Sequence, residues 1–229
     1  MKLSNRLKTV SDVIKSLGNL KTMADIGSDH GLLPAYVIKN GICEEVFASD
    51  VAKGPYDALL HTIAKYDLGD RVIPCFGNGL EPLLKYDKHY DIICICGMGA
   101  KVMVDILKST IHQISFGYLI LQSNIDENDV REYLFSNGFC IVEEKIVHDA
   151  SRYYEIIVAK FGEQQCNDKE KDILFGPILR NEKNRIFIKK WKRELLIQEN
   201  ILSSLAIEHP KHTVIRHKIE LIKEILEEN

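Results

Sequence analysis

Two β-rich runs, Phe139 to His148 and Tyr153 to Phe161, stand almost end to end, joined only by Asp149-Ala150-Ser151. No other feature of the sequence constrains the fold as much. Parallel neighbours need a crossover of a dozen residues or more, so this pair must run antiparallel. The preceding residues require the opposite arrangement. Lys21 to Ile26, Glu45 to Ser49, Arg71 to Phe76, Tyr90 to Cys96 and Tyr118 to Gln122 read as short strands. Helix-like segments separate them at Leu32 to Lys39, Pro55 to Tyr66 and Ala100 to Ser109, and another follows at Asp126 to Asn137. Strands alternating with helices make a parallel sheet covered on both faces. Tyr90 to Cys96 is the most apolar strand and belongs at the centre, whereas Pro74 cannot donate to a ladder and places Arg71 to Phe76 at an edge.

Five β/α units closed by a hairpin differ from a plain dinucleotide-binding sheet, whose sixth strand stays parallel. By analogy of fold, this is the α/β, Rossmann-like sheet of class I S-adenosylmethionine-dependent methyltransferases. The expected organisation is a catalytic domain over residues 1–162 and a helical hairpin over 163–229. Gly162 to Lys171 is polar and reads as a linker. Ile188, Trp191, Leu195, Leu202 and Leu205 then keep a helical spacing, and Ile215, Ile219, Ile222 and Leu226 repeat it beyond a break at His209-Pro210. Two such helices joined by a short turn pack antiparallel.

Charge divides along the same line. The chain carries a formal net charge of -3, yet from Arg180 to Lys218 ten Lys/Arg face four Asp/Glu. An acidic body with a basic appendage points to a polyanionic partner for the appendage. Apolar residues are 45% of the chain, enough for a core. No run approaches the roughly 20 apolar residues that span a bilayer. The start, MKLSNRLKTVSDVIKSLG, is amphipathic and lacks the apolar block of a signal peptide. A cytoplasmic protein is expected. The six cysteines, Cys43, Cys75, Cys94, Cys96, Cys140 and Cys166, form no CxxC pair and read as buried reduced thiols. His209, His212 and His217 do not have zinc spacing, and no metal is expected.

Candidate site residues gather at the ends of the strands, where open α/β sheets bind ligands. The first strand runs into Asp25-Ile26-Gly27-Ser28-Asp29-His30-Gly31. It lacks G-x-G-x-x-G, so a pyrophosphate cradle is disfavoured. S-adenosylmethionine needs instead a close backbone approach and carboxylates near its ammonium group. Asp50 closes the second strand, 25 residues after Asp25, where an acid bonds ribose hydroxyls or caps the next helix. Asn78 and Gly79 follow the third strand and either lie beside the cofactor adenine or form a simple turn. Gly97-Met98-Gly99 ends the central strand, where small residues let two substrates meet. Gln122-Ser123-Asn124 ends the fifth on the same rim.

The segments ADIGSDHGLLP, GNGLEPL, GMGA, LQSN and FGPILRNEKNRIFIKKWKREL, with the opening LSNRLKTV, resemble those of the bacterial tRNA (adenine-22-N1)-methyltransferase family. The resemblance spans nearly the whole chain. It implies a class I methyltransferase fold with a C-terminal coiled-coil-like domain, and methyl transfer from S-adenosylmethionine to N1 of adenine 22 in the D-loop region of tRNA. It further implies that Asp25, Gly27, Asp29 and His30 form the first cofactor motif, that Asp50 holds the ribose, that Asn78 and Gly79 flank the adenine, and that Gly97, Met98 and Gly99 line the reaction centre. Ala100 and Ser123 stand where the family's pattern has Gly and Pro.

Adenine N1 is already a nucleophile, so placing it within about 3–3.5 Å of the methyl carbon is the main catalytic task. The methylated base is cationic, and Asp29 is the candidate to stabilise it, or else a cofactor ligand. No Asn-Pro-Pro-aromatic motif of exocyclic-amine methylation is present. The target base must be exposed before reaction. Arg185, Lys189, Lys190, Lys192 and Arg193 are the expected phosphate contacts, with Lys2, Arg6 and Lys8 secondary and Asn124 on the substrate side. Trp191 reads as hairpin core before base platform. Because the hairpin can bury its own stripe, a monomer is expected. The competing readings are a methyltransferase of another substrate, a tRNA-binding module without activity, and a nicotinamide-dependent oxidoreductase.

Overall fold

The computed structural model describes residues 1–228, in two compact units, one over Met1–Gln165 and one beginning at Cys166. The first is built on a seven-stranded sheet. Its strands are β1 (Thr22–Ile26), β2 (Glu45–Asp50), β3 (Val72–Phe76), β4 (His89–Met98), β5 (Ser115–Ser123), β6 (Phe139–Asp149) and β7 (Arg152–Phe161). They lie in the order β3-β2-β1-β4-β5-β7-β6. β1 to β5 are parallel, while β7 enters antiparallel beside β5 and β6 closes the edge antiparallel to β7. The short link thus has the predicted consequence: Ala150 and Ser151 alone connect β6 to β7, with Ala150 in left-handed backbone. β4 is central and β3, with Pro74, is the opposite edge.

Burial explains the strand composition. Ile92, Ile93, Cys94 and Ile95 of β4 and Leu119, Ile120 and Leu121 of β5 are wholly buried, because helices cover both faces of a parallel sheet. The covering helices are α1 (Asn5–Ser16), α2 (Leu32–Lys39), α3 (Lys53–Tyr66), α4 (Ala100–Thr110) and α5 (Glu127–Ser136). The sequence had shown α1 only as an amphipathic start. Ser4 caps it, its side chain accepting from Leu7 N, and Val10, Val13 and Ile14 sink into the core. Asp149 of the hairpin turn also accepts from Arg6 N at 3.0 Å, fixing the first turn of α1 to the β6–β7 end. Arg131 of α5 is fully buried between Glu144 of β6 and Glu155 of β7, which accept its charged hydrogen bonds at 2.5–2.8 Å.

The second unit holds α6 (Lys169–Phe175), α7 (Leu179–Glu182), α8 (Arg185–Ser204) and α9 (Lys211–Glu227). The linker expected to reach Lys171 ends earlier, because the Asp168 side chain accepts from Lys171 N and starts a helix in that polar run. α8 and α9 pack on each other as an antiparallel pair across the six-residue break. Trp191 is 4% exposed, against Phe175 (ring centroids 4.6 Å) and Phe187, which excludes it as an open stacking platform. Phe187, Leu221 and Ile225 join the predicted stripe. Of the cysteines, Cys43, Cys75 and Cys94 are buried, whereas Cys96 and Cys140 are half-buried and Cys166 is exposed. No helix of the described residues is long and apolar enough to cross a membrane.

Candidate functional site

A cleft of about 410 Å³ opens at the carboxyl ends of β1, β2, β3 and β4, within the size range of small-molecule and cofactor sites. Its lining includes Asp25, Gly27, Asp29, His30, Asp50, Asn78, Gly79, Gly97 and Met98, nine of the residues singled out from sequence. Parallel packing explains the convergence. Asp25 lies in register with Ala48 of β2 and Cys94 of β4, and Asp50 with Phe76 of β3, so β1, β2 and β3 end within a residue of one another and β4 runs three residues further along the same rim.

The turn after β1 is held from below. Gly27 N and Ser28 N both donate to Ser49 O, at 2.8 and 2.9 Å. Gly27 has φ +71, a backbone conformation in which an L side chain is strained, and a Cβ there would also displace the Met98 side-chain tip, 2.1 Å away. Asp29 also has positive φ (+49), which aspartate tolerates better than most residues. Its side chain is exposed at the mouth, 3.7 Å from His30 Nε2. Asp50 is no helix cap: α3 starts at Lys53 after Ala52. One of its carboxylate oxygens accepts from Asp29 N at 3.2 Å and the other from Ala52 N at 2.9 Å. It thereby joins the two loops and keeps lone pairs for a diol.

The remaining wall is apolar and was not visible in the sequence. Val51, Val102 and Ile106 line the cleft, with Val51 60% and Val102 53% exposed. Val102 and Ile106 are one helical turn apart on α4, a spacing that also describes any core-facing stripe. Only the fold shows that this stripe faces a cleft. A planar aromatic ligand would cover such a surface. Asp25 is the buried polar feature of the floor. Burial pushes its carboxyl up to about 6, opposed by hydrogen bonds from Ser28 and Cys94 and by the charge of Arg6.

Three sequence expectations are placed differently. Gly99 caps α4 rather than lining the cleft. Asn124 is also outside the lining; its Nδ2 donates to Gly97 O and its N to Met98 O, both at 2.7 Å, so it braces the end of β4. Arg6, expected among the outward cations, turns into the cleft, while Lys2 and Lys8 stay exposed. The two departures from the family pattern fit locally. Ala100 is the first residue of α4, where alanine is favourable. The Ser123 hydroxyl donates to Ile125 O and lies 3.4 Å from Met98 O.

On α8, Arg185, Lys189, Lys192 and Arg193 are exposed. At roughly 100° per residue they fall on one face, away from Phe187 and Trp191. Lys190 leaves that face and lies over the Trp191 ring, 5.2 Å from its centroid. His212 is buried, and His217 hydrogen-bonds Glu170 Oε1 at 2.7 Å. Among the described residues no three His, Cys, Asp or Glu side chains gather as a metal site.

Residues 23–224 match the family described as tRNA (adenine(22)-N(1))-methyltransferase. The tRNA (adenine(22)-N(1))-methyltransferase of Bacillus subtilis is 32% identical over 238 residues, covering 99% of this chain and 98% of that protein. Among solved structures, a Streptococcus pneumoniae putative tRNA (m1A22) methyltransferase in complex with S-adenosyl-L-methionine aligns with a TM-score of 0.89 at 30% identity, over 98% of this chain and 100% of that one. The M. capricolum TrmK bound to S-adenosyl-homocysteine aligns with a TM-score of 0.88 at 27% identity, over 99% and 98%.

Proposed function

Because the chain belongs to the tRNA (adenine(22)-N(1))-methyltransferase family, we propose that it transfers a methyl group from S-adenosylmethionine to N1 of adenine 22 in tRNA. The observation that carries this reading is the cleft itself: four strand ends bring an acid with free lone pairs, a glycine in left-handed backbone, a buried carboxyl and an apolar wall to one rim. These fit the parts of the cofactor in turn. Asp50 takes the ribose hydroxyls. Val51, Val102 and Ile106 cover the adenine, beside Asn78 and Gly79. Gly27 lets the sulfur-bearing chain approach the backbone, and Asp25 meets its ammonium group. Bound there, the cofactor supplies a methyl group on a sulfonium, a leaving group good enough to need no covalent enzyme intermediate.

The acceptor base enters over Gly97 and Met98. Asn124 holds both carbonyls still, which keeps the approach line fixed. Asp29, with His30 at the mouth, faces the base as its ring becomes cationic and stabilises that charge. His30 O also accepts from Thr62 Oγ1 at 2.7 Å, which steadies the loop. Residues 1–162 carry the chemistry and the hairpin over 163–229 grips tRNA through Arg185, Lys189, Lys192 and Arg193. The enzyme works in the cytoplasm as a monomer, since α8 and α9 bury Trp191, Ile219 and Ile222 within one chain.

Incubation with labelled S-adenosylmethionine and unmodified tRNA, followed by mapping of the methylated nucleoside, tests the reading. Label at N1 of adenine 22 is expected; label elsewhere, or none, defeats it. Asp29→Asn suits the left-handed backbone and removes only the charge. It should bind cofactor within a few-fold of wild type while single-turnover methylation drops on the order of 100-fold. Near-normal turnover would remove Asp29 from the chemistry.

A further inference from the structure

The outward face of α8 does not end where its cations end. At roughly 100° per residue, Leu196, Asn200 and Ser203 continue the line of Arg185, Lys189 and Lys192 toward the far end of the helical pair. From Glu194 to Pro210 there is no Lys or Arg. Large apolar side chains stand in solvent there instead. Leu196 is 62% exposed, Ile207 in the turn 76% and Val214 on the first turn of α9 68%, with Ile197 and Ile201 exposed beside Leu196. The inner stripe of the pair, at Leu195, Leu202 and Ile215, is half-buried without them. Single exposed apolar residues are ordinary, but a group gathered on one part of a surface marks a binding site. Asn200, exposed among them, carries an amide that both donates and accepts. The acids of this half of α8, Glu194 and Glu199, are bonded to Lys218 and Lys223.

We propose that the distal half of α8 and the turn after it hold the unstacked base faces of a tRNA loop, while the proximal cations hold its phosphates. This rests on the reading of the helical pair as the tRNA-binding unit. A partner lying along α8 meets about 12 Å of positive charge from Arg185 to Arg193, then about 10 Å of uncharged surface from Leu196 to Ser203. A looped RNA strand presents both chemistries side by side: anionic phosphates, and splayed bases with apolar faces and polar edges. Apolar side chains take such faces, and the Asn200 amide takes an edge. A second copy of the chain fits less well. Laid antiparallel on this face, it would set its own uncharged half against the cations and offer them no acid, because Glu194 and Glu199 are already engaged. The consequence is selectivity. Phosphate contacts are alike on any RNA and carry no sequence information. A fully paired duplex satisfies the cations but hides its base faces, whereas a tRNA loop satisfies both halves of the helix.

Fluorescence anisotropy of two probes, unmodified tRNA and a fully paired RNA duplex of similar length, decides the matter when each is titrated over a range of salt concentrations. Leu196→Gln with Ile207→Gln strips apolar surface from exposed positions and should leave the thermal midpoint unchanged. It should weaken tRNA binding roughly 5- to 30-fold, by the same factor at every salt concentration, because apolar contact is lost and counterion release is not. The duplex should bind wild type and variant alike, which also reports that the variant is folded. Leu196→Phe with Ile207→Phe should match or exceed wild-type affinity for tRNA, since a ring stacks on a base better than an aliphatic chain. Undiminished tRNA binding by the glutamine variant, or equal weakening on both probes, would overturn the proposal. So would wild type that sediments as a dimer and becomes monomeric in the glutamine variant without loss of tRNA: the face would then belong to a second copy. Failure of wild type to bind either RNA would instead defeat the reading of the helical pair on which the proposal stands.

Discussion

At the scale of single residues, Asp25 holds a buried carboxyl in the cleft at a cost to the free protein. Burial raises its carboxyl to about 6, with Asp50 adding to the rise and Ser28, Cys94 and Arg6 opposing it. Unfolded, an aspartate titrates near about 3.9. As pH rises, the unfolded chain therefore releases this proton first. Stability from this group is greatest below about pH 4, falls through about pH 6, and stays low above. The difference is on the order of 3 kcal/mol. Asp25→Asn should accordingly raise stability to urea at pH 8 more than at pH 5, while weakening S-adenosylhomocysteine at both. A gain equal at the two pH values would show that Asp25 does not titrate between them in the folded protein. That Asp25, Asp50 and Gly27 meet at one cleft was legible in the sequence, because strand ends of a parallel sheet share one rim. The inward turn of Arg6 was not legible. Lys2, Arg6 and Lys8 look alike in a list, and only the docking of α1 separates them.

At the scale of elements, the hairpin that fixed the fold class in the sequence also carries a buried charge cluster that the sequence could not reveal. Arg131, Glu144 and Glu155 sit on three different elements, each in an ordinary polar position of its own pattern, and meet only when α5 packs on β6 and β7. Arg131→Met leaves two carboxylates buried without their cation and should cost about 3–5 kcal/mol in urea unfolding. Replacing all three by apolar residues of similar volume should restore most of that loss, because the desolvation cost is removed with the charges. A triple variant as unstable as the single one would mean that packing dominates. The helix α1 depends on the same hairpin. Amides of Arg6 and Asn5 and the Ser4 hydroxyl hold the Asp149 carboxyl below the usual carboxylate range. Its contribution is complete above about pH 4 and is lost as pH falls through that lowered value. Asp149→Ala should speed amide hydrogen exchange across residues 5–16 and leave β4 and β5 protected. Unchanged exchange in α1 would show that Ser4 capping and core packing suffice.

At the scale of the whole molecule, the proposed function divides labour between an acidic unit that carries the chemistry and a basic helical one that holds RNA, and so predicts that the two kinds of binding are separable. The exposed face of α8 presents Arg185, Lys189, Lys192 and Arg193 together. Lys218 and Lys223 are already engaged by Glu194 and Glu199, at 3.0 and 2.8 Å. Net positive charge alone does not distinguish these groups, whereas the ability to release counterions from RNA does. Each phosphate contact steepens the logarithmic salt dependence of binding by roughly 0.7–0.9. Changing Arg185, Lys189 and Lys192 to Gln should therefore lower the salt slope for tRNA by about 2 to 3 and raise its KM more than tenfold near physiological salt, while S-adenosylhomocysteine affinity stays within twofold of wild type. Lys218→Gln with Lys223→Gln removes nearly as much charge and should barely change the slope. If both variants lose tRNA equally, the appendage acts as a diffuse field and the α8 face has no special part in recognition. If the α8 variant keeps the full slope, the RNA is held elsewhere, and the hairpin's basic face has no part in phosphate binding.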